Sequence, residues 1–368
     1  MKLLQYGAGS IGRGFIGPLF AAAGYEVVFV DVNPALVAAF NARKRYHYTV
    51  AAAPPYDVAV QNIRAVDGRD AAAVCRELAD CDILATALGA AVLERVAPTL
   101  AQGLRQRWAQ GNAPLDILIC ENLKNAAQAL GGWLAPSLED AVPDWRSRCG
   151  LVEAVIGRMV PVAQNSADPL HITVEEYGLL PVDAAAFRGS VPNVPNLLPY
   201  SPFAFYEERK LYLHNMGHCI CAALGLQSGI EALADAIAMP EIYRAVREAM
   251  AESAAMLSRK YNQPLPELTE HAADLLRRFG NRALGDSCER VARDPLRKLS
   301  ADDRLAGALR NCEALGLPCT HIARGYAAVL RGCTADFARA KEIMSDISHL
   351  SPELAKICGD FFNQGEGQ

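Results

Sequence analysis

The stretch LLQYGAGSIGRGFIG, residues 3–17, joins a short apolar strand pattern to a helical pattern through three glycines. Gly7, Gly9 and Gly12 have the spacing GxGxxG. In phosphate-binding turns of this kind the first glycine allows a tight turn and the second lets the backbone approach a pyrophosphate. The third lets the helix pack closely on the strand, and the helix N-terminus then attracts the phosphates. The stretch therefore predicts a nucleotide site at the start of an α/β domain.

A second strand pattern, EVVFVDVN at residues 26–33, supports this interpretation. It ends at Asp31, 19 residues beyond Gly12, which is the spacing of a carboxylate that binds the adenosine ribose hydroxyls. No arginine follows Asp31 before Arg43, so no cation is placed to receive a 2′-phosphate. The pattern predicts a Rossmann site for NAD rather than NADP, and a glycine turn that serves packing alone is the alternative.

The rest of the N-terminal half alternates strand and helix patterns. The predicted strands are Leu3–Tyr6, Glu26–Asp31, Asp82–Ala87, Asp116–Cys120 and His171–Tyr177. The predicted helices are Ile11–Ala23, Pro34–Arg43, Ala71–Ala79 and Ala90–Leu104. This alternation predicts a doubly wound, mostly parallel sheet with helices on both faces.

A change of pattern divides the chain in two. SVPNVPNLLPYSP at residues 190–202 places four prolines in eleven residues, which cannot continue a helix and is typical of a linker. From residue 203 to 362 the pattern is helical, with about eight helices and almost no strand signal. We therefore predict a Rossmann-type NAD-binding domain at residues 1–200 and an all-α substrate and catalytic domain at 201–368.

The composition limits the functions that the chain can have. A length of 368 residues suits two domains, and a formal charge of −5 argues against nucleic-acid binding by bulk electrostatics. The glycines come too early for a signal peptide, and no apolar run is long enough to span a membrane. The eleven cysteines contain no CxxC and no zinc-site spacing. These features predict a cytoplasmic protein without a metal site or a membrane or nucleic-acid partner.

A second motif, KLYLHNMGH at residues 210–218, opens the helical half. At about 100° per residue, Lys210, His218 and Asn215 fall at about 0°, 80° and 140° around a helix. An NAD site supplies the hydride acceptor, but an enzyme that oxidises an alcohol also needs a base for the hydroxyl proton. The sequence contains neither a metal-ligand cluster nor a convincing YxxxK pair that could supply this base. Lys210 is then the best-placed base if burial lowers its pKa, with Asn215 and His218 on the substrate oxygen. A solvated lysine and a buried structural histidine are the alternative.

Together the motifs resemble the polyol-specific long-chain dehydrogenase family, also called the mannitol dehydrogenase family, and within it the sugar-phosphate branch. The resemblance spans roughly residues 1–304. The matching stretches are GAGSIGRGFIG (7–17), DVN (31–33), TALGAAVLERVAP (86–98), CENLKNAA (120–127), EAVIGRMVP (153–161), VEEYGLLPVD (174–183), ERKLYLHNMGH (208–218) and ERVARDPLRKLSADDR (289–304).

The resemblance implies a metal-independent, NAD-dependent enzyme that interconverts D-mannitol 1-phosphate and D-fructose 6-phosphate, as a monomer or weak homo-oligomer. It implies a lysine base at Lys210 and substrate-oxygen contacts from Asn215 and His218. Glu153 stands where the free-polyol branch has a catalytic Asn, which favours the phosphorylated substrate. The implied phosphate contacts are Arg290 and Lys298, with Arg297 in reserve. The implied cofactor contacts beyond the glycines and Asp31 are Ser10 (where the family usually has Asn), Ile11, Asn33, Thr86, Glu121 and Asn122.

Several alternatives stay open at this point. Glu121 and Asn122 follow a strand at its ligand-binding edge, but they could equally cap a helix. The basic residues from Arg290 to Lys298 could form a solvated helix face. The activity could be that of a 6-phosphogluconate dehydrogenase type, of a dehydrogenase for free mannitol or a hexuronate, or of a non-catalytic NAD-binding protein.

Overall fold

The computed structural model describes residues 1–160 and 168–332, together with the single positions 342 and 356. The chain divides into two compact units, Met1–Phe203 and Ala204–Gln368. The division lies three residues beyond the predicted boundary at residue 200. Part of the predicted helical run up to residue 362 lies outside the described residues.

The first unit is built on a six-stranded parallel sheet. In chain order the strands of this unit are β1 Lys2–Tyr6, β2 Glu26–Asp31, β3 Arg45–Val50, β4 Tyr56–Gln61, β5 Ile63–Asp67, β6 Ile83–Thr86, β7 Leu115–Ile119, β8 Cys149–Glu153, β9 Thr173–Val174, β10 Leu180–Asp183 and β11 Leu197–Tyr200. The sheet order is β5-β2-β1-β6-β7-β8, and every neighbouring pair is parallel. Counted by sheet strands alone this is 3-2-1-4-5-6, the order of the Rossmann fold, so the predicted fold class is confirmed.

Four helical regions of this unit lie where the sequence predicts them, whereas α5 and α6 were not predicted. They are α1 Gly17–Ala22, α2 Pro34–Arg43, α3 Ala71–Asp80, α4 Ala90–Ala109, α5 Ala126–Leu138 and α6 Trp145–Arg148. A π-helical segment, Gly12–Ile16, precedes α1. Capping explains two of the starts, because Asn33 accepts a hydrogen bond from Ala35 N and Asp70 accepts one from Ala73 N.

The central strands are apolar on both sides because the sheet has a core on each face. In β2, Val27 and Phe29 belong to one buried cluster, whereas Val28 and Val30 belong to the other. The Phe29 ring stacks on Phe40 of α2 with 4.6 Å between the ring centroids. The continuous apolar run in the sequence is therefore a strand buried on both faces, as predicted.

Three sequence expectations need correction. The edge strands β5 and β8 and the antiparallel hairpin β3–β4 were not predicted. Polar residues interrupt the apolar pattern of β5 and of the hairpin and weaken their strand signal. The predicted strand His171–Tyr177 is only Thr173–Val174, which pairs with β3. The predicted linker contains β11, which pairs in parallel with β10.

The second unit is helical over its described residues apart from one isolated bridge between Ala232 and Ser287. Its helices are α7 Ala204–Arg209, α8 Met216–Gln227, α9 Leu233–Ala238, α10 Pro240–Tyr261, α11 Leu265–Phe279, α12 Cys288–Ala292, α13 Pro295–Lys298, α14 Ala306–Ala314 and α15 Thr320–Arg331. A second π-helical segment, Lys210–Asn215, joins α7 to α8.

Helix α8 lies at the centre of this unit and contacts α9, α10, α12 and α15. Glycines allow two of these contacts to be close. A Cβ on Gly217 would lie 2.7 Å from the sulfur of Met250, and one on Gly225 would lie 2.6 Å from the sulfur of Cys288. Larger residues at these positions would separate α8 from α10 and α12.

Two searches over the described part of the chain bear on function. None of its helices combines the length and apolar character that a membrane span requires. In the same residues, no group of three or more His, Cys, Asp or Glu side chains is arranged to hold a metal ion.

Candidate active site

The glycine turn after β1 has the geometry of a phosphate cradle. Gly7 has a φ of 97°, and a Cβ on it would overlap the carbonyl oxygen of Ala87. A Cβ on Gly12 would overlap the carbonyl oxygen of Gly7, whereas one on Gly9 would meet no atom within 4 Å. The fold itself thus requires Gly7 and Gly12. Gly9 opens onto free space at the beginning of a helix. This is the arrangement that a pyrophosphate fits.

Asp31 joins the end of β2 to this turn. Its Oδ2 accepts a hydrogen bond of 2.9 Å from Ala8 N, and its Oδ1 accepts one of 2.9 Å from Asn33 N. A carboxylate oxygen can accept more than one hydrogen bond. Asp31 can therefore bind ribose hydroxyls while it fixes the turn.

Glu121 and Glu153, by contrast, are bound to helix N-termini. Glu121 accepts hydrogen bonds from Leu88 N at 2.9 Å and Gly89 N at 2.7 Å, at the start of α4. Glu153 accepts one from Ala127 N at 2.9 Å, in the first turn of α5. The helix-capping interpretation of Glu121 thus describes what it does in this structure. The predicted catalytic Glu153 likewise has one carboxylate oxygen committed to a backbone amide.

The remaining predicted cofactor residues differ in accessibility. Thr86 is fully buried, and its hydroxyl has no hydrogen-bond partner among the described residues, so it is not presented to a ligand here. Asn33 uses its side-chain oxygen to cap α2. Asn122 is exposed, and Ser10 and Ile11 are half-buried at the start of the first helix. These four contacts remain predictions.

The second motif lies on the π-helical segment rather than on a regular α-helix. Lys210 opens the segment, Asn215 ends it, and His218 follows in the first turn of α8. The predicted arc of 100° per residue is therefore wrong, because a π-helix bonds i to i+5 and turns less at each residue. Lys210 and Asn215 are half-buried, and the Asn215 amide makes no hydrogen bond within the described residues.

His218 is fixed by an aromatic ring and a carboxylate. Its ring stacks on Phe279 with centroids 4.9 Å apart. Its Nε2 is buried and lies 3.4 Å from Oδ2 of Asp286, without a well-aligned hydrogen bond. Arg290 binds the same carboxylate through two contacts of 2.6 Å. His218, Asp286 and Arg290 therefore form one chain of interactions.

Burial, assisted by the charges in this region, lowers the pKa of both His214 and His218. Burial lowers the pKa of His218, and the charges of Arg290 and Arg304 lower it further against the opposing effect of Asp286. Burial would raise the pKa of Asp286, but the nearby His218 ring and the hydrogen-bonded guanidinium of Arg290 lower it overall. Burial, Arg278, His218 and Lys210 hold the pKa of His214 well below its usual range.

The three predicted phosphate contacts are not equivalent. Lys298 is buried, and its ammonium donates to the carbonyls of Val291 and Arg293, so it closes the end of α12 and is not free for a ligand. Arg290 is committed to Asp286. Arg297 is 52% exposed and has a 3.2 Å ion pair with Asp303, which leaves it the most accessible of the three.

Comparison with known families and structures shows to which protein family the chain belongs. The family model of the mannitol dehydrogenase Rossmann domain matches residues 1–196, and that of the mannitol dehydrogenase C-terminal domain matches residues 203–359. The chain belongs to the mannitol dehydrogenase family. It is thus an oxidoreductase of the polyol dehydrogenase type, and the C-terminal match extends beyond the last motif identified in the sequence.

Solved structures agree on the fold. Mannitol 2-dehydrogenase of Pseudomonas fluorescens, in a ternary complex with NAD and D-mannitol, is 15% identical with a TM-score of 0.78, over 99% of this chain and 91% of that one. A substrate-free D-sorbitol dehydrogenase is 16% identical with a TM-score of 0.74, over 90% and 80%. An octopine dehydrogenase is 10% identical with a TM-score of 0.54, over 90% and 88%.

These comparisons confirm the predicted family and fold class, and the Rossmann domain of this mannitol dehydrogenase family member supports NAD as its cofactor. The sequence analysis missed Asp286, Phe279 and Arg304 beside His218. One signal was available for Asp286, because it lies only four residues before Arg290, a separation at which opposite charges often pair, although Asp286 itself precedes the helix α12. No sequence signal identified Phe279, which comes from a different helix.

The stability of the helical unit should depend on pH through His271. Burial, together with the charges of Arg209 and Arg278, lowers the pKa of His271 to about 4. An unfolded histidine binds a proton below about pH 6.5, so the unfolded chain binds the extra proton between pH 6.5 and 4. Stability must then fall as the pH falls through this window, by up to about 3 kcal/mol for this residue.

Urea unfolding of wild type and His271→Gln at pH 7 and pH 4.5 measures this dependence. The variant should show a smaller loss of unfolding free energy on acidification. His47→Gln is the matched control, because His47 is exposed and should leave the loss unchanged. The same loss in wild type and His271→Gln would contradict the assignment.

Proposed function

We propose that the chain is an NAD-dependent, metal-independent dehydrogenase that interconverts D-mannitol 1-phosphate and D-fructose 6-phosphate, a mannitol-1-phosphate 5-dehydrogenase. One observation carries the proposal. In a member of this family, a single helical stretch bears a half-buried lysine, an amide without a hydrogen bond to any described residue and a histidine fixed by a carboxylate. These are the groups that removal of a proton from a secondary alcohol requires.

The cofactor proposal rests on the glycine turn and Asp31. Gly9 opens onto free space at a helix N-terminus, and Asp31 has hydrogen-bonding capacity beyond its two backbone bonds. NAD+ bound there would supply the hydride acceptor. Gly7, Gly9 and Gly12 would admit its pyrophosphate, and Asp31 would bind its ribose hydroxyls and repel a 2′-phosphate.

The catalytic proposal assigns proton transfer to Lys210. In the oxidation direction its neutral amine would take the proton of the substrate hydroxyl. Asn215 would donate a hydrogen bond from its side-chain amide to the same oxygen as negative charge develops. His218 is held neutral, and a carboxylate 3.4 Å from its Nε2 favours the tautomer protonated there. Its Nδ1 is then an acceptor for a substrate hydroxyl.

The phosphate proposal rests on the exposed cations of the 290–298 segment. Arg297 is half-exposed, and the exposed guanidinium of Arg293 has no ion pair within the described residues. Both belong to a protein that is acidic overall, so they form a local basic surface. Glu153 adds less support than its position in the sequence suggested, because Ala127 N binds one of its oxygens.

One observation favours a second candidate, a dehydrogenase of a free polyol. Arg290 and Lys298, the two residues on which the phosphate interpretation first depended, have internal partners. In an enzyme that binds no phosphate, Arg290 and Lys298 could keep these internal partners while the substrate is bound. We place either enzyme in the cytoplasm as a monomer or weak homo-oligomer. The nine cysteines in the described part of the chain are buried, which suits a reducing compartment.

The cofactor assignment predicts a preference in steady-state kinetics. The value of kcat/KM should be at least about tenfold higher with NADH than with NADPH, which is the effect of one charge-assisted hydrogen bond. Asp31→Ser should reduce this preference for NADH over NADPH. A thermal melt checks that loss of the Ala8 contact has not unfolded the domain. Equal efficiency of the two cofactors in wild type would refute the role of Asp31.

The base assignment predicts the effect of Lys210→Ala. Turnover should fall by about 10²–10⁴-fold, while the affinity for NADH, measured by fluorescence titration, should stay near that of wild type. The rise of polyol oxidation with pH should also disappear. Lys260→Ala, which breaks an ion pair with Glu208, is the matched control and should turn over normally. Near-normal turnover of Lys210→Ala would point to His218 or His214 instead.

The substrate assignment predicts selectivity for the phosphorylated ketose. Two ionic hydrogen bonds of about 1.5–3 kcal/mol each favour fructose 6-phosphate over fructose by roughly 10²–10⁴ in kcat/KM. Arg293→Ala and Arg297→Ala should lower kcat/KM for fructose 6-phosphate and leave the KM for NADH unchanged. Arg277→Ala is the control and should change neither kcat/KM for fructose 6-phosphate nor the KM for NADH. Arg290→Ala should lower kcat on both sugars, because it releases Asp286. Comparable kcat/KM for the two sugars would leave the free-polyol candidate standing.

A further inference from the structure

A buried serine contacts the helix that carries the proposed base. Ser253 lies in α10 and is fully buried. Its hydroxyl donates a 2.8 Å hydrogen bond to the carbonyl oxygen of Tyr212, which lies inside the π-helical segment Lys210–Asn215. The two residues are 41 positions apart in the chain, so this is a tertiary contact and not part of local helix geometry.

The bond forms at the carbonyl that the π-helix releases. In a regular α-helix, Met216 N would bond to the carbonyl of Tyr212, four residues earlier. Here Met216 N bonds instead to the carbonyls of Leu211 and Leu213. Tyr212 O loses the partner that an α-helix would give it, and Ser253 supplies one. A buried carbonyl without a partner would destabilise the π register.

The burial of Ser253 requires the same arrangement. Its neighbours in α10, Ala249, Met250, Ala254 and Leu257, are buried apolar residues with at most 1% exposure. A hydroxyl in such surroundings is costly unless it is hydrogen-bonded. The hydroxyl and the π-bulge therefore satisfy each other, and either one alone would leave a buried polar group without a partner.

The other π-helical segment has the same construction. At Gly12–Ile16, Gly17 N bonds to Gly12 O and not to Arg13 O, its partner in an α-helix. The buried hydroxyl of Tyr46 donates to Arg13 O at 2.6 Å. Both π segments thus lie in a motif with a proposed function, and in both a buried hydroxyl from another element binds the released carbonyl.

We propose that Ser253 is a positioning residue, whose hydroxyl holds the π register that sets Lys210 and Asn215 relative to His218. The consequence for catalysis rests on the proposed function. If the bulge were lost, the residues before it would rotate by roughly one residue, about 100°, relative to those after it. Lys210 precedes the bulge and His218 follows it, so their relative orientation depends directly on this bond.

The test compares Ser253→Ala with a matched control. Ser258 lies in the same helix, and its hydroxyl donates to the carbonyl of Gln263 at 2.7 Å, away from the π segment. Ser253→Ala should lower kcat for the ketose at least about tenfold, with the Kd for NADH within about twofold of wild type. It should also shift the ionisation seen in the pH dependence of kcat. Ser258→Ala should leave all three unchanged, and Ser253→Thr, which keeps the hydroxyl, should recover most of the loss.

A crystal structure of Ser253→Ala separates this proposal from the proposed function. It should show Met216 N bonded to Tyr212 O, in place of its bond to Leu211 O. If Ser253→Ala does not fold, Ser253→Cys, which nearly keeps the volume but donates weakly, should give the same shift. An intact π register, or wild-type kcat with an unchanged pH profile, would overturn the proposal. Wild type inactive on every polyol would instead remove the proposed function, and the register in the crystal would still decide the role of Ser253.

Discussion

Backbone groups that secondary structure leaves unpaired must find partners, and this requirement organises the first unit of the molecule. The first five strands of the parallel sheet are each followed by a helix, so the turns between them present amides without intrahelical partners. Carboxylates from the next strand of the sheet bind these amides in three cases. Asp31 binds Ala8 N, Glu121 binds the amides of Leu88 and Gly89, and Glu153 binds Ala127 N. The ends of the sheet strands are thus linked to one another across the edge where ligands bind in such folds.

This linkage explains why acids at strand ends are ambiguous in a sequence. A carboxylate at the helix end of a parallel strand can bind a ligand or replace one, because the same amides and helix dipole attract both. Asp31 differs from the two glutamates through its neighbour. Its turn contains Gly9, whose missing side chain leaves open space, whereas the helices capped by Glu121 and Glu153 begin with their amides already bound. The glycines, and not the acids, therefore mark the turn that remains available to a phosphate.

Much of the fold follows from sequence patterns, and the failures have physical causes. The strands at the centre of the sheet are buried on both faces, so their apolar runs are unambiguous, and the prediction for Glu26–Asp31 matches the structure in both bounds. The edge strands carry polar residues and lack this signal.

Within the candidate site, Lys210, Asn215 and His218 were identified from their types and spacing, but their orientation was not. The π-bulge depends on Ser253, whose contact with Tyr212 spans 41 residues and leaves no local pattern. Burial of Lys298 on two carbonyls was equally invisible, because it is set by the fold of α12 and α13.

The electrostatics around the second motif favours negative charge in the ligand. Lys210, Arg278 and buried surroundings hold the pKa of His214 well below its usual range, and Arg290 and Arg304 help to lower that of His218. Burial is the largest cause of both shifts, and the neighbouring cations add a positive potential to it. A positive potential in a partly buried site stabilises an anion more than water-exposed charges would. An alkoxide developing on a substrate oxygen is such an anion. The cations near the histidines would therefore lower the barrier to proton removal, although Asp286, Asp303 and Asp274 partly offset the charges of Arg290, Arg304 and Arg278.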